Sequence, residues 1–336
     1  MTLRIAFITD AWHPQINGVV TTIANTCSTL EQSGHEIKLI TPDQFKTIPC
    51  PSYPSIRLSL ACYKKLSRLL DEFIPQRIHI ATEGPLGLAA RRYCLKHDLA
   101  FTTSFHTLFA EYVNLRFKIP VSYGYGFLRW FHAPAKKIMV ATPSVEADLK
   151  RRGFKNNIVR WSRGVNTDFY YPRDKAFLSL PRPISLFVGR VAIEKNIEAF
   201  LSLDFPGTKM VVGDGPQLKK LKAGFPDAVF AGFLSGEPLA KHVAAADVFV
   251  FPSRTDTFGI VLLDALASGV PVAAFPVTGP VDVITSGKVG KLDENLKKAM
   301  TEALQLNAQD CRDYALNYSW TNCTGQFFNN LVPAVE

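Results

Sequence analysis

The chain has 336 residues, 47% of them hydrophobic, and a formal net charge of +9. That length favours two domains over a single core, and that apolar content is globular, which excludes a disordered chain. No run approaches eighteen apolar residues, so no membrane-spanning helix is expected. The six scattered cysteines show neither CxxC nor Cys/His spacing, which points to reduced cytosolic thiols and away from a zinc site.

Taken in chain order, the N-terminus MTLRIAFITD reads as a first strand (3–9) and not as a signal peptide. An amphipathic helix follows over 19–30, then a strand over 35–41. Residues 43–57, rich in Pro and Ser, read as a loop. Strands are expected at 77–82, 99–105 and 137–143, with helical stretches between them. Residues 166–183 carry three prolines and mixed charge and read as a linker. The alternation restarts with strands at 184–190, 208–215, 228–233, 247–253 and 270–276. Strands separated by helices predict parallel sheets covered on both faces. The fold class is therefore α/β, with two Rossmann-like domains facing a cleft. The boundaries are 1–170 for the first domain, 171–312 for the second, and 313–336 for a C-terminal helix returning to the first.

The charge is unevenly spread. Residues 1–56 carry 3 basic and 4 acidic side chains, net −1; residues 57–160 carry 18 and 7, net +11; residues 161–336 carry 17 and 18, net −1. The excess suggests a face that meets anions, such as phospholipid headgroups or phosphorylated substrates, or else a solvated basic surface. No nucleic-acid module accompanies it, so nucleic acid is not an expected partner.

The densest motif is DVFVFPSRTDTFGIVLLDALASGVPVAAFP (247–276). A strand runs into the loop Thr255-Asp256-Thr257, which opens a helix over 259–268. Asp256 and Asp264 have seven residues between them, at most ~12 Å of helix rise. Two carboxylates at this spacing each accept a pair of sugar hydroxyls. Asp256 alone also fits a helix cap. Asp264 lies inside an apolar helix, where a buried acid needs a partner or a function. In FVGRVAIEKN (187–196), Arg190 ends a strand and Lys195 opens the next helix, a pair suited to a diphosphate or to solvent. In TDAWHPQINGVV, Gly18 precedes a helix start where a backbone approaches a phosphate. His106, at the end of the strand in TTSFHTLF, starts a helix and is a ligand or structural residue. GxGxxG is absent, and Gly213-Asp-Gly215 is its nearest approach, so a dinucleotide site is not expected. There is no Asp-x-Asp after a strand, no GxSxG, no P-loop and no HExxH. The expected chemistry uses no metal and no cofactor.

Together the NGVV loop, SFHT, the GR…EK pair, VVGDGP, ADVFVFPS and TDTFGIVLLDALASGVPVAA resemble the retaining glycosyltransferase family 4, of GT-B architecture, over nearly the whole chain. The resemblance implies a hexosyltransferase using a nucleoside diphosphate sugar, UDP or GDP. Arg190 and Lys195 would neutralise the diphosphate, Asp256 and His106 meet the donor sugar, and Asp264 hold the ribose. Gly18, Thr257, Phe258, Gly259 and Phe233 complete the donor-binding set. The family motif is E-x7-E; here both acids are Asp, each shorter by roughly 1.3–1.5 Å of reach, and EKN stands for EKG. Residues 108–137 interleave aromatic and basic side chains around Trp130, Phe131 and His132, as in an interfacial helix, or as in a helix packed on its own core. The implied acceptor is a membrane lipid such as diacylglycerol, met by a cytoplasmic enzyme at an anionic inner membrane face. The alternatives are a polyprenyl-linked or soluble saccharide acceptor, and a nucleotide-sugar binder without transfer activity.

Overall fold

In the computed structural model, which describes residues 2–50 and 53–335, the chain divides into two compact units. One is Met1–Ser162 with Trp320–Glu336, the other Arg163–Ser319. The chain thus leaves the first unit after Ser162, not after 170, and re-enters it at Trp320, not at 313.

The first unit contains β1 (Arg4–Ile8), β2 (Glu36–Ile40), β3 (Thr47–Cys50), β4 (Tyr53–Ser59), β5 (Arg77–Ile80), β6 (Thr102–Phe105), β7 (Lys137–Val140) and β8 (Asn157–Arg160). Six of these form a parallel sheet in the order β2-β1-β5-β6-β7-β8. Its inner strands β1, β5, β6 and β7 are almost wholly buried, as a sheet covered on both faces requires, although β6 (Thr102–Phe105) is largely polar. Helix Gly18–Gln32 starts where it does because the Asn17 side chain accepts from the amides of Val19 and Val20.

The second unit contains β9 (Ile184–Val188), β10 (Thr208–Val212), β11 (Val229–Gly232), β12 (Val248–Phe251), β13 (Val272–Ala274) and β14 (Gly290–Leu292). They form a parallel sheet in the order β11-β10-β9-β12-β13-β14. In each sheet the chain winds outward in one direction, then returns to the centre and winds the other way. The reversal falls between β1 and β5 in the first sheet and between β9 and β12 in the second. Loops leaving the carboxyl ends of such a strand pair diverge and leave a crevice for a ligand.

Three expectations need correction. Residues 43–57 are not a loop. Apart from 51–52, which lie outside the described residues, they form a short 3₁₀ turn (Pro42–Gln44) and the antiparallel pair β3–β4. A two-stranded ribbon is all edge, and edges tolerate the prolines that suggested a loop. Strands β8 and β14 were not foreseen; they are short edge strands with little apolar signal. The 166–183 segment is tied down by Arg312, whose guanidinium donates to the carbonyls of Thr167, Tyr170 and Ala267.

The C-terminal helix Trp320–Asn330 belongs to the first unit. Its Cys323 and Phe327, with Leu331 just beyond it, join a buried cluster with Ile5, Phe7, Ile23 and Trp161. Phe327 stacks on Phe7 with ring centroids 5.3 Å apart. The segment 108–137 folds as two helices, Phe109–Phe117 and Val121–His132. Phe131 and His132 are buried, contrary to an interfacial role, because they sit on the face that carries Tyr125 and Leu128 inward. Trp130 stays half exposed, with the Arg91 guanidinium stacked 4.0 Å from its ring.

Candidate active site

The second unit gathers most of the expected donor residues on one pair of strands. Arg190 follows β9 and Asp256 follows β12, so both stand at the point where the strand order reverses. Lys195 closes the 3₁₀ turn Ile193–Lys195 and does not open a helix; the next helix begins at Ile197. Its Nζ lies 2.6 and 2.8 Å from the two carboxylate oxygens of Asp256, in a half-buried, charge-assisted pair. Sixty-one positions apart in sequence, these two residues become direct partners only because β9 and β12 are neighbours.

Further bonds hold the two loops together. The Glu194 carbonyl accepts from the hydroxyls of Ser253 and Thr255. Asn196 takes a left-handed backbone, φ 51°, and its amide donates to the Pro252 carbonyl at 3.1 Å. A glycine in that place, as in EKG, would suit the backbone but lack the bond. The Glu194 carboxylate is buried, with Oε1 3.5 Å from Arg190 Nη1. Neither Glu194 nor Asn196 stood out in the sequence as a site residue; the left-handed turn that directs Asn196 toward Pro252 is invisible before folding.

Helix Ile260–Ala267 begins at Gly259, φ 82°, where a Cβ would sit 3.0 Å from the Phe251 ring. The positive φ favours glycine here, and the Phe251 and Leu262 side chains leave little room for a Cβ. The N-cap residue Gly259 has no side chain to cap this helix, whose positive dipole end follows directly on the Asp256-Thr257-Phe258 loop. Phe258 turns its ring into the protein. Asp264 projects from the same helix, and burial pushes its carboxyl up to about 7. Its charge in turn raises the phenol of Tyr170, whose own burial is the larger cause. Tyr170, within the segment read as a linker, is thus a neighbour of the site that the sequence did not reveal. Phe233 is half exposed, one residue beyond β11.

Two expected residues lie in the first unit. Gly18 is the first residue of helix Gly18–Gln32. His106 is buried just after β6, its ring edge-on to Trp161 with centroids 5.3 Å apart; the following helix starts at Phe109 and not at His106.

Two family models match in tandem, Glycosyltransferase Family 4 over residues 16–169 and Glycosyl transferases group 1 over residues 182–310. The chain is a glycosyltransferase of the family 4 type. It is 27% identical to the sulfoquinovosyl transferase of Arabidopsis thaliana, over 98% of this chain and 74% of that one. Identity to a GDP-mannose-dependent alpha-mannosyltransferase of Mycobacterium tuberculosis is 29%, over 86% and 83%. To the alpha-monoglucosyldiacylglycerol synthase of Streptococcus pneumoniae it is 24%, over 98% and 84%. In structure the chain is similar to a sucrose-phosphate synthase from Thermosynechococcus elongatus, with a TM-score of 0.78, 22% identity, and coverage of 97% and 98%. That likeness establishes the GT-B fold of this glycosyltransferase.

Proposed function

We propose that this glycosyltransferase moves a hexose from a nucleoside diphosphate sugar, UDP- or GDP-linked, to an acceptor hydroxyl with retention at the anomeric carbon. The observation that carries this is the meeting of Lys195 and Asp256 at the strand reversal of the second sheet, beside Arg190. Arg190 and Lys195 bind the diphosphate and stabilise the negative charge that grows on it as the anomeric bond breaks. Asp256 holds Lys195 in place and offers its remaining lone pairs to the sugar. Asp264, on the helix below, accepts the ribose hydroxyls. Amides at the start of helix Ile260–Ala267 face the sugar, with Thr257, Phe258 and Gly259 shaping that wall and Phe233 an outer one. The family resemblance gives His106 a role toward the donor sugar and Gly18 the role of a close-approach glycine. The acceptor oxygen attacks from the face the diphosphate leaves, and the departing phosphate takes its proton. The two cations supply the charge stabilisation that a metal gives elsewhere, so the transfer proceeds without one.

The proposed acceptor is a membrane lipid such as diacylglycerol, reached by a peripheral enzyme at the cytoplasmic membrane face. No described helix is long and apolar enough to cross a membrane. Support comes from the exposed Trp130, Tyr123, Phe117 and Leu95 on the unit that carries the whole excess of positive charge, and from the relative named as an alpha-monoglucosyldiacylglycerol synthase. A saccharide acceptor with a GDP-mannose donor is the second reading, favoured by the mannosyltransferase relatives. The deciding experiment is a screen of UDP and GDP sugars for released nucleotide, with and without lipid extract and with EDTA present throughout. Lipid-dependent release supports the first reading, and saccharide-dependent release the second. Binding of a nucleotide sugar with no release under any condition would overturn both.

A further inference from the structure

We infer that Glu83 is the residue of the first unit that accepts a hydrogen bond from the acceptor's hydroxyl in the bound complex, before that proton passes to the departing phosphate, and that buried His132 positions it. This rests on the glycosyl-transfer reading and extends it to the acceptor.

The first sheet reverses its strand order between β1 and β5, so the loops leaving these two strands bound the ligand crevice of that unit. Asp10 stands just beyond β1, and Thr82-Glu83-Gly84 just beyond β5. Asp10 is fully engaged within the chain. Its carboxylate accepts from the amides of Leu86 and Gly87 at 2.8 and 3.2 Å and from the Thr82 hydroxyl at 3.0 Å. It therefore caps helix Pro85–Lys96, whose own cap residue is Gly84. A Cβ on Gly84 would lie 2.4 Å from the Asp10 carboxyl carbon, so no other residue fits there. Both neighbours of Glu83 are thereby pinned to Asp10.

The Glu83 side chain is pinned as well. Its Oε1 lies 3.2 Å from His132 Nε2, and the imidazole is wholly buried while the carboxylate keeps some exposure. On the far side of the ring, His132 Nδ1 is 2.8 Å from the Thr103 hydroxyl. The His132 carbonyl accepts from the Asn156 amide. Phe105, Phe131 and Phe154 surround the ring. The imidazole has no freedom to turn, and it fixes one carboxylate oxygen from behind. The other, Oε2, accepts no hydrogen bond from the described residues and is not buried. A carboxylate has about four acceptor positions, so satisfying His132 leaves most of them without a partner among the described residues. A rigidly held, partly exposed carboxylate at a strand reversal is the arrangement that binds an alcohol hydroxyl with little ordering cost. Such a hydroxyl occurs on the glycerol of a lipid and on a saccharide alike.

The test is steady-state transfer by the wild type, E83Q, E83D, H132N and H132Q, reading the Michaelis constants for acceptor and donor separately, together with acceptor-free donor hydrolysis. One arm uses dioleoylglycerol in anionic mixed micelles, the other a soluble disaccharide; the arm that supports transfer identifies the source of the hydroxyl. Loss of a hydrogen bond to a charged group raises the acceptor constant about ten- to a hundredfold in E83Q, with the donor constant and the hydrolysis rate unchanged. E83D, which draws the charge back, shows the same split more weakly. H132N, which keeps only the bond to Thr103, behaves as E83Q does. H132Q, whose terminal amide still reaches Glu83, recovers most of the acceptor affinity. An acceptor constant in E83Q within twofold of wild type overturns the inference. So does an equal loss of donor binding and hydrolysis. A wild type that transfers in neither arm with any donor overturns the glycosyl-transfer reading itself. If the His132 variants fail to fold, E83Q and E83D decide alone.

Discussion

Replacing Asp264 by Asn separates what this residue costs the fold from what it contributes to donor binding. Burial raises the Asp264 carboxyl from 3.8 to about 7. Between those values the folded protein holds a proton that the unfolded chain has released, so stability falls as pH rises from about 4 to about 7. At about 1.4 kcal/mol for each pH unit, the full penalty above pH 7 is at most about 4 kcal/mol. Asparagine has nearly the same shape and no charge to bury. The D264N variant should therefore melt with the wild type below pH 4 and several degrees above it at pH 8, since 1 kcal/mol corresponds to about 2–4 °C for a unit of this size. Asp10, also raised by burial, to about 6, is present in both proteins and cancels in the comparison. The same substitution removes an acceptor for the ribose hydroxyls, so nucleotide affinity should drop at least tenfold. Melting curves from pH 3.5 to 8.5, paired with calorimetric titration of UDP and GDP, measure both effects. A melting difference that does not vary with pH, or a more stable variant that binds nucleotide as well as the wild type, would refute the reasoning.

Lys195→Ala should lower transfer about 10²- to 10³-fold by removing preorganised charge from the leaving group, with its melting point within a few degrees of wild type; single-turnover rates check this, and wild-type rates would remove Lys195 from the site. The double variant Leu95→Ser, Trp130→Ser should float less well with anionic vesicles at low salt while keeping its fold, because both side chains are exposed; unchanged flotation would place membrane binding elsewhere. Phe327→Ala should destabilise the first unit by about 3–5 kcal/mol, since the ring is wholly buried against Phe7 and Trp161; denaturant titration measures it, and a loss under 1 kcal/mol would mean the C-terminal helix is dispensable to that core.

Much of this protein is written locally. Apolar runs four or five residues long between helical stretches predict parallel sheets, because the two-residue and 3.6-residue periods are properties of neighbouring positions. The placing of Asp264 inside an apolar helix, and of Arg190 at the end of a strand, follows from the same periods. Tertiary structure decided what those residues meet. The order of strands set β9 beside β12, and only that brought Lys195 onto Asp256. The shorter acid, a small departure in the sequence, proves to be the one that grips the lysine with both oxygens. Tyr170 reached Asp264 through a segment whose composition suggested a linker. Prolines hid the β3–β4 ribbon, and the sequence left the inward face of helix Val121–His132 open between two readings, because aromatic and basic residues suit a membrane and a core equally well. Sequence alone therefore determined the two βα-alternating halves and the residue types available for a diphosphate and a sugar. Which of them became partners, and where Glu83 and His132 stand, depended on contacts between distant strands, and no local period encodes those.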